Sequence, residues 1–280
     1  MMPTLMALQM VSVPDVEQNL NQVEALIQAR MPEESDARAP TLVVLPECFA
    51  YFGGKDSAQL DVAEPMGEGV IQSRLSNIAK KYGVWIVSGT MPTQVVDEAG
   101  RFEASCLVFD DQGSLRADYQ KIHMFDVEVA DNTGSYKESR TTKPGNKVVV
   151  IEDTPFGRLG LAVCYDVRFP TLFHAMGSID VLALPAAFTQ KTGEVHWHPL
   201  LQARSIEKQC YVVAANQGGE HNNGRMTFGH SCIYSGWGEL LTEIRQGPGC
   251  VSAEMDFDQL KQIRSNMPVS QHNRFRSELV

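Results

Sequence analysis

Three residues with reactive side chains each follow a short apolar stretch of the sequence. Glu47 comes directly after such a stretch in "VVLPECF", Lys121 after the one that ends in "DYQK", and Cys164 after "GLAV". In open α/β sheets, ligands bind beyond the carboxyl ends of the strands. We therefore expect a carboxylate, an ammonium and a thiol to meet in one pocket.

These three groups together suit the hydrolysis of an amide through a thioester. A nearby lysine and a helix N-terminus both lower the pKa of a thiol, and Pro170 marks a first helical turn shortly after Cys164. Glu47 could take the thiol proton, pass it to the leaving amine and later activate water. Lys121 and the backbone N–H of Tyr165 would hold the oxyanion.

Each of these residues also has a structural explanation. Cysteine is a small hydrophobe that often packs inertly after an apolar run. A glutamate after a proline and an isolated lysine usually lie on the surface. Residue type alone therefore leaves both explanations open.

Apolar and helical patterns alternate along the chain and predict the elements that position these groups. The predicted strands are Thr4–Met10, Thr41–Leu45, Val84–Gly89, Ser105–Phe109, Gly113–Tyr119, Lys147–Ile151, Leu159–Val163, Val181–Leu184 and Tyr211–Ala215. The predicted helices are Val16–Arg30 with Asp15 as N-cap, Gly69–Tyr82, Pro199–Lys208 and Phe257–Ile263. This alternation indicates a layered α/β fold with a mixed sheet.

The chain shows no linker and no internal repeat, so we expect a single domain over residues 1–280 with a C-terminal tail from about residue 267. The segment Ile122–Asn146 has no regular pattern, and a loop of that length is usually functional or mobile.

Composition excludes several classes of partner and gives no sign of a cofactor. The net charge of −10 argues against nucleic acid, and no apolar run reaches the roughly 18 residues of a membrane span. The N-terminus looks like a strand rather than a signal peptide, so we expect a cytoplasmic protein.

The six cysteines of the chain show no C-x-x-C pair and should be free thiols. His196 and His198 form the only close histidine pair, a weak metal candidate, so no metal is expected.

The segments "LPECF", "YQKIHMFD", "ES…KPG" and "GLAVCYDVRFP" resemble the nitrilase (carbon–nitrogen hydrolase) superfamily in order and spacing, over about residues 4–275. This resemblance implies a four-layer αββα sandwich and a catalytic triad of Glu47, Lys121 and Cys164. It further implies that Glu138 orients the lysine and the substrate, although Glu138 could instead be a surface loop residue. No cofactor is implied, and a homodimer or larger homo-oligomer is expected.

Within the superfamily, "KIHMFDVEV", "CYDVRFP", "QARSIEKQCYVVAANQ" and "GHS" resemble the Nit branch, which holds deaminated glutathione amidases and omega-amidases. The segment "AANQGGEHNNGRMTFGHS" is more similar to the deaminated glutathione amidases. The resemblance implies cleavage of a small carboxylate-bearing amide, with Arg168, Phe188 and Thr192 in substrate-binding positions. Arg168 could instead pair with Asp166 or another acid. The alternatives are an omega-amidase acting on 2-oxoglutaramate or 2-oxosuccinamate, a nitrilase, and a non-enzymatic binding role.

Overall fold

A computed structural model describes residues 1–31, 39–96, 98, 100–131 and 134–275 of the chain. Helices α1 to α6 span Val16–Gln28, Val70–Tyr82, Pro170–Ala175, Gln190–Lys208, Phe257–Asn266 and Val269–His272. Short 3₁₀ turns span Asp56–Val62, Glu138–Arg140 and Cys164–Arg168. The last residues of the predicted tail, 276–280, lie outside the described residues. In the described part of the chain, no helix is both long and apolar enough to cross a membrane.

Most of the strands belong to two sheets. Strands β1 to β16 span Thr4–Gln9, Thr41–Val44, Trp85–Val87, Met91–Gln94, Phe102–Phe109, Leu115–Gln120, Asp126–Glu128, Ser135–Lys137, Thr142–Lys143, Val150–Thr154, Gly157–Leu161, Val181–Ala186, Tyr211–Asn216, Ser231–Tyr234, Leu240–Ile244 and Gly249–Glu254. The first sheet has the order β16-β1-β2-β3-β5-β4, with β6 and β9 also paired to β5. The second runs from β10 to β15 in sequence order, and β7 pairs with β8 alone.

The two sheets pack face to face because their strands carry apolar residues on both sides. In β1, Leu5 and Ala7 enter the core that the two sheets share, whereas Met6 and Leu8 enter a second core under the helices. This is the period-2 alternation of a strand that is covered on both faces. Helices α1 and α2 pack over the first sheet, and α4 packs over the second. The observed order of helix, sheet, sheet and helix confirms the αββα sandwich.

Every predicted strand overlaps an observed one, and the N-cap of α1 is confirmed. The Asp15 side chain accepts a hydrogen bond of 2.9 Å from the backbone N–H of Gln18. Helix α4 differs from its prediction, because it begins at Gln190 and carries Pro199 in its interior. The segment Ile122–Asn146 differs too, since it contains the β7–β8 hairpin, the Glu138–Arg140 turn and β9.

Candidate active site

Four strand ends meet at one open pocket between the sheets. Glu47 follows β2, Lys121 follows β6, Cys164 follows β11 and Ala187 follows β12, and all four line the pocket. Strands β11 and β12 are parallel neighbours. In the first sheet β2 is parallel to β3, and β3 and β6 are both antiparallel to β5, so β2 and β6 run in the same direction and their carboxyl ends point toward the same edge. The structure thus brings together the three residues that the sequence placed at strand ends, and adds a fourth strand.

The Lys121 ammonium lies between two carboxylates. Its Nζ is 2.7 Å from Glu47 Oε1 and 2.9 Å from both carboxylate oxygens of Glu138, and the Lys121 side chain is only 2% exposed. Burial by itself lowers the pKa of Lys121, but the charges of Glu138 and Glu47 outweigh it and raise that pKa well above its ordinary value. Lys121 is therefore a fixed cation at neutral pH.

Glu47 is held by contacts on each side of its carboxylate and by its backbone. Its Oε2 accepts a hydrogen bond of 2.9 Å from the backbone N–H of Ala187, and Gln217 Nε2 donates to its carbonyl at 3.0 Å. Gly89 packs closely against the turn that carries Glu47: a Cβ at Gly89 would lie 1.9 Å from the Pro46 carbonyl oxygen. Only glycine fits this approach, since its φ is also +71°.

Glu138 enters the pocket from the 3₁₀ turn between β8 and β9. Its Oε2 accepts a hydrogen bond of 2.6 Å from the backbone N–H of Phe125, in addition to the contact with Lys121. Burial raises the pKa of Glu138 above its ordinary value; the charge of Lys121 opposes that shift, and the nearby Glu47 adds to it. Glu138 therefore lies inside the site, not on a loop surface.

The "KPG" motif closes the segment that carries Glu138 back onto Lys121. The backbone N–H of Gly145 donates a hydrogen bond of 2.8 Å to the Lys121 carbonyl. A Cβ at Gly145 would lie 2.2 Å from the carbonyl oxygen of Gln120, so a larger residue would push the two segments apart.

Cys164 begins a 3₁₀ turn in an unusual backbone conformation. Its φ is +47°, a left-handed region that costs a non-glycine residue about 1–3 kcal/mol and persists where the surroundings enforce it. Helix α3 starts at Pro170 as expected, but the turn separates Cys164 from it. The expectation of a lowered thiol pKa is wrong. Burial, followed by the negative charge of Glu47, raises the pKa of Cys164 well above its ordinary value, although Lys121 acts in the opposite direction.

Of the predicted substrate contacts, Tyr165, Phe188 and Thr192 line the pocket. Arg168 is not among the described residues that line it. Its guanidinium lies 5.2 Å from the Phe188 ring centre, and its Nη1 lies 3.3 Å from His196 Nδ1. A direct contact between Arg168 and substrate stays a prediction.

Sequence reasoning missed several residues of the pocket wall. Aromatic rings of Phe52, Phe125 and Tyr136 line it, together with the cations Lys137 and Arg225. Lys137 directly precedes Glu138 in the sequence, and a basic residue beside a candidate site glutamate was the available signal. Nothing near Arg225 in the sequence signalled its place in the pocket.

A second cluster of ionisable side chains lies between α4 and the second sheet. Ligand atoms of His198, His230 and Glu243 lie within 4.8 Å of one another, the one such group among the described residues. Glu243 Oε1 is 2.9 Å from His198 Nε2 and 2.6 Å from His230 Nδ1, and Tyr234 Oη is 2.8 Å from His198 Nδ1. These distances are those of hydrogen bonds, which join α4 to the second sheet.

Comparisons with known proteins agree with this geometry. Residues 4–265 match the family model described as carbon-nitrogen hydrolase. The chain is 43% identical over 274 residues to the deaminated glutathione amidase of Yersinia enterocolitica, covering 96% of this chain and 90% of that protein.

Solved structures show the same fold. Nit3 of Saccharomyces cerevisiae, a member of branch 10 of the nitrilase superfamily, has a TM-score of 0.84 and 28% identity, covering 97% of this chain and 96% of that one. The NitFhit protein of Caenorhabditis elegans has a TM-score of 0.85 and 34% identity; the match covers 97% of this chain and 65% of that longer one. The expected resemblance is thereby confirmed, and this chain belongs to the carbon–nitrogen hydrolase family.

Proposed function

We propose that this enzyme is an amidase that cleaves deaminated glutathione, a small amide bearing carboxylates, through a thioester on Cys164. The observation that carries the proposal is the Lys121 ammonium fixed between Glu47 and Glu138 in the pocket that Cys164 enters. The similarity to the deaminated glutathione amidase of Yersinia enterocolitica supports the choice of substrate.

In the first half-reaction Cys164 attacks the amide carbon. Because burial and Glu47 raise the pKa of the thiol, it carries its proton at neutral pH. Glu47 takes that proton as the carbon–sulfur bond forms, and Lys121 and the backbone N–H of Tyr165 stabilise the oxyanion. The carbon–nitrogen bond then breaks, and Glu47 gives the proton to the departing amine.

In the second half-reaction water cleaves the thioester. Glu47 takes a proton from the water molecule as its oxygen attacks the carbonyl carbon. The carbon–sulfur bond breaks, the proton returns to Cys164, and the acid leaves. The net reaction consumes one amide and one water and yields one acid and one amine. Glu138 keeps Lys121 in place throughout, because it binds the ammonium with both oxygens.

The charge of the pocket wall suits an anionic substrate. Deaminated glutathione carries a carboxylate on each side of the amide that is cleaved. The protein as a whole has a net charge of −10, so an anion needs local positive charge to enter the site. Lys137 and Arg225 supply it in the wall, and a guanidinium can bind a carboxylate with two hydrogen bonds. Phe188 and Tyr136 supply apolar surface beside them.

A comparison of substrates tests the proposal. Purified enzyme is supplied with deaminated glutathione, 2-oxoglutaramate or an aliphatic nitrile, and the acid and amine products are measured, with Cys164→Ala as control. We expect the highest kcat/KM with deaminated glutathione and no turnover by the control. Preferential cleavage of 2-oxoglutaramate would favour an omega-amidase, and turnover of the nitrile alone would contradict the amidase assignment.

We also propose that the enzyme forms a homo-oligomer. Apolar side chains are exposed on α4 and on the neighbouring turn between β14 and β15: Val195 is 65% exposed, Ile206 45% and Trp237 56%. Gln202 donates a hydrogen bond of 2.9 Å to Gly238 in that turn, so the turn with Trp237 lies beside the part of α4 that carries Ile206. Val195 lies on the same face of α4, three helical turns before Ile206. Light scattering should report a dimer or larger assembly that Trp237→Glu dissociates, whereas Val70→Glu, at an exposed site on α2, should not. A wild-type monomer would contradict this proposal.

A further inference from the structure

The Asp166 carboxylate lies fully buried at the junction of the two segments that carry Lys121 and Cys164. Its Oδ2 accepts hydrogen bonds from the Tyr119 hydroxyl at 2.7 Å and from the backbone N–H of Val163 at 2.8 Å. The mechanism above makes no use of this carboxylate, and a buried carboxylate is costly unless its oxygens are hydrogen-bonded.

The other carboxylate oxygen of Asp166 binds a residue that follows Lys121 in the sequence, whereas Tyr119 precedes it. Asp166 Oδ1 lies 3.1 Å from the backbone nitrogen of His123 and 2.6 Å from its Nδ1. The His123 ring is itself stacked on Phe169, with ring centres 3.7 Å apart. Asp166 therefore contacts residues two positions before and two positions after Lys121.

The same carboxylate holds the strained turn at Cys164. Besides the bond from Val163 N–H to Asp166 Oδ2, the backbone N–H of Asp166 donates to the Val163 carbonyl at 3.0 Å. These two bonds close the turn whose second residue, Cys164, has φ of +47°. A left-handed cysteine needs such enforcement to persist.

We propose that Asp166 is a positioning residue that sets the distance between the Lys121 ammonium and the Cys164 sulfur by clamping both of their backbone segments. The inference rests on the catalytic roles proposed above for Lys121 and Cys164. Asp166 does not line the pocket among the described residues, so it acts through its neighbours. Burial raises the pKa of Tyr119, and its hydroxyl therefore keeps the proton that it donates to Asp166.

The test compares Asp166→Asn with Tyr119→Phe and with a matched control, Asp110→Asn. Asp110 is also buried and accepts backbone hydrogen bonds from Gln112 at 3.0 Å and Ser114 at 2.8 Å, but these belong to the β5–β6 turn at the other end of β6 from Lys121. Misplacing reacting groups by about 1 Å can cost about a hundredfold in rate. We expect kcat to fall at least about tenfold in Asp166→Asn with KM changed less than about twofold, and to fall less in Tyr119→Phe.

Two further readouts separate positioning from loss of stability. The double variant Tyr119→Phe/Asp166→Asn should have a kcat close to that of Asp166→Asn, because both changes break one network. The rate of Cys164 alkylation by iodoacetamide should change in Asp166→Asn and not in Asp110→Asn. This second measurement needs no substrate, so it stands even if deaminated glutathione is not cleaved.

Wild-type kcat and wild-type alkylation in folded Asp166→Asn would overturn the proposal, as would an equal loss of kcat in Asp110→Asn. If Asp166→Asn does not fold, Tyr119→Phe decides: a lowered kcat at wild-type KM supports the clamp, and an unchanged kcat overturns it.

Discussion

Lys121 Nζ lies 2.7 Å from Glu47 Oε1 in a pair that solvent scarcely reaches, and Glu138 holds the same ammonium from its other side. One cation thus lies between two carboxylates, while the thiol beside them keeps its proton. This arrangement leaves Glu47 as the base and Lys121 as the permanent positive charge.

Replacing the cation should damage both activity and stability. Lys121→Met removes an oxyanion donor, which typically costs about 10²–10³ in kcat. It also leaves the buried Glu47 carboxylate and the half-buried Glu138 carboxylate without their ammonium, and breaking a buried pair in this way costs about 3–5 kcal/mol. Assays of product formation and urea unfolding should show both losses. The double variant Lys121→Met/Glu138→Gln should regain part of the stability and none of the activity.

A surface lysine is the control for that experiment. Lys143 Nζ lies 3.8 Å from Glu103 with its side chain 40% exposed, and such pairs contribute about 0–1 kcal/mol. Lys143→Met should therefore retain wild-type kcat and nearly wild-type stability. A similar loss in both lysine variants would show that Lys121 has no special role.

Replacing the base should separate thiol ionisation from turnover. Glu47→Gln removes a general base and should lower kcat by about 10²–10⁴. Because the Glu47 charge raises the pKa of Cys164, its loss should lower that pKa and move the pH profile of alkylation toward lower pH. More thiolate together with less turnover is the expected pair of results. An unchanged kcat would exclude Glu47 as the base.

The wild-type thiol should titrate at unusually high pH. Burial and Glu47 both favour the protonated form, so the thiolate fraction is small at neutral pH and grows only as the pH rises. The rate of Cys164 alkylation by iodoacetamide, with Cys164→Ala as background, should still increase above about pH 8.5, the ordinary thiol pKa. A plateau below pH 8 would instead show a thiol activated in the free enzyme.

A backbone substitution remote from the chemistry should also disturb Glu47. In Gly89→Ala the new Cβ meets the Pro46 carbonyl oxygen, so the turn that carries Glu47 must move. Gly83 is a matched control, because its φ of +60° is also left-handed but a Cβ there meets nothing within 4 Å. We expect about 1–2 kcal/mol of destabilisation and wild-type kcat in Gly83→Ala, from backbone strain alone. Gly89→Ala should lose more stability and activity as well; equal effects on urea unfolding and kcat would contradict this.

The sequence predicted the strands and the chemical groups at their ends because both depend on local pattern. The apolar runs that end just before Glu47 and Cys164, and the more polar strand that ends just before Lys121, are visible without any tertiary contact. Helix α4 was only half predicted, since Pro199 is typical of a helix start but lies here in the helix interior. The β7–β8 hairpin was missed because its strands are three residues long and lie on the surface without an apolar alternation.

The electrostatics of the site could not be read from the sequence. The direction of the Cys164 pKa depends on how deeply the thiol is buried and on how close Glu47 lies, and both follow from packing of the two sheets. The network around Asp166 joins residues 43 and 47 positions apart, so no local pattern indicates it.

Detecting the acyl-enzyme tests the central claim most directly. Wild-type enzyme mixed with deaminated glutathione is quenched in acid within the first turnovers, digested and examined by mass spectrometry. We expect the acyl part of the substrate, without the departed amine, on the peptide that contains Cys164, and no such adduct in Cys164→Ala. Product formation with no adduct on Cys164, together with turnover by folded Cys164→Ala, would contradict a thioester mechanism at this residue.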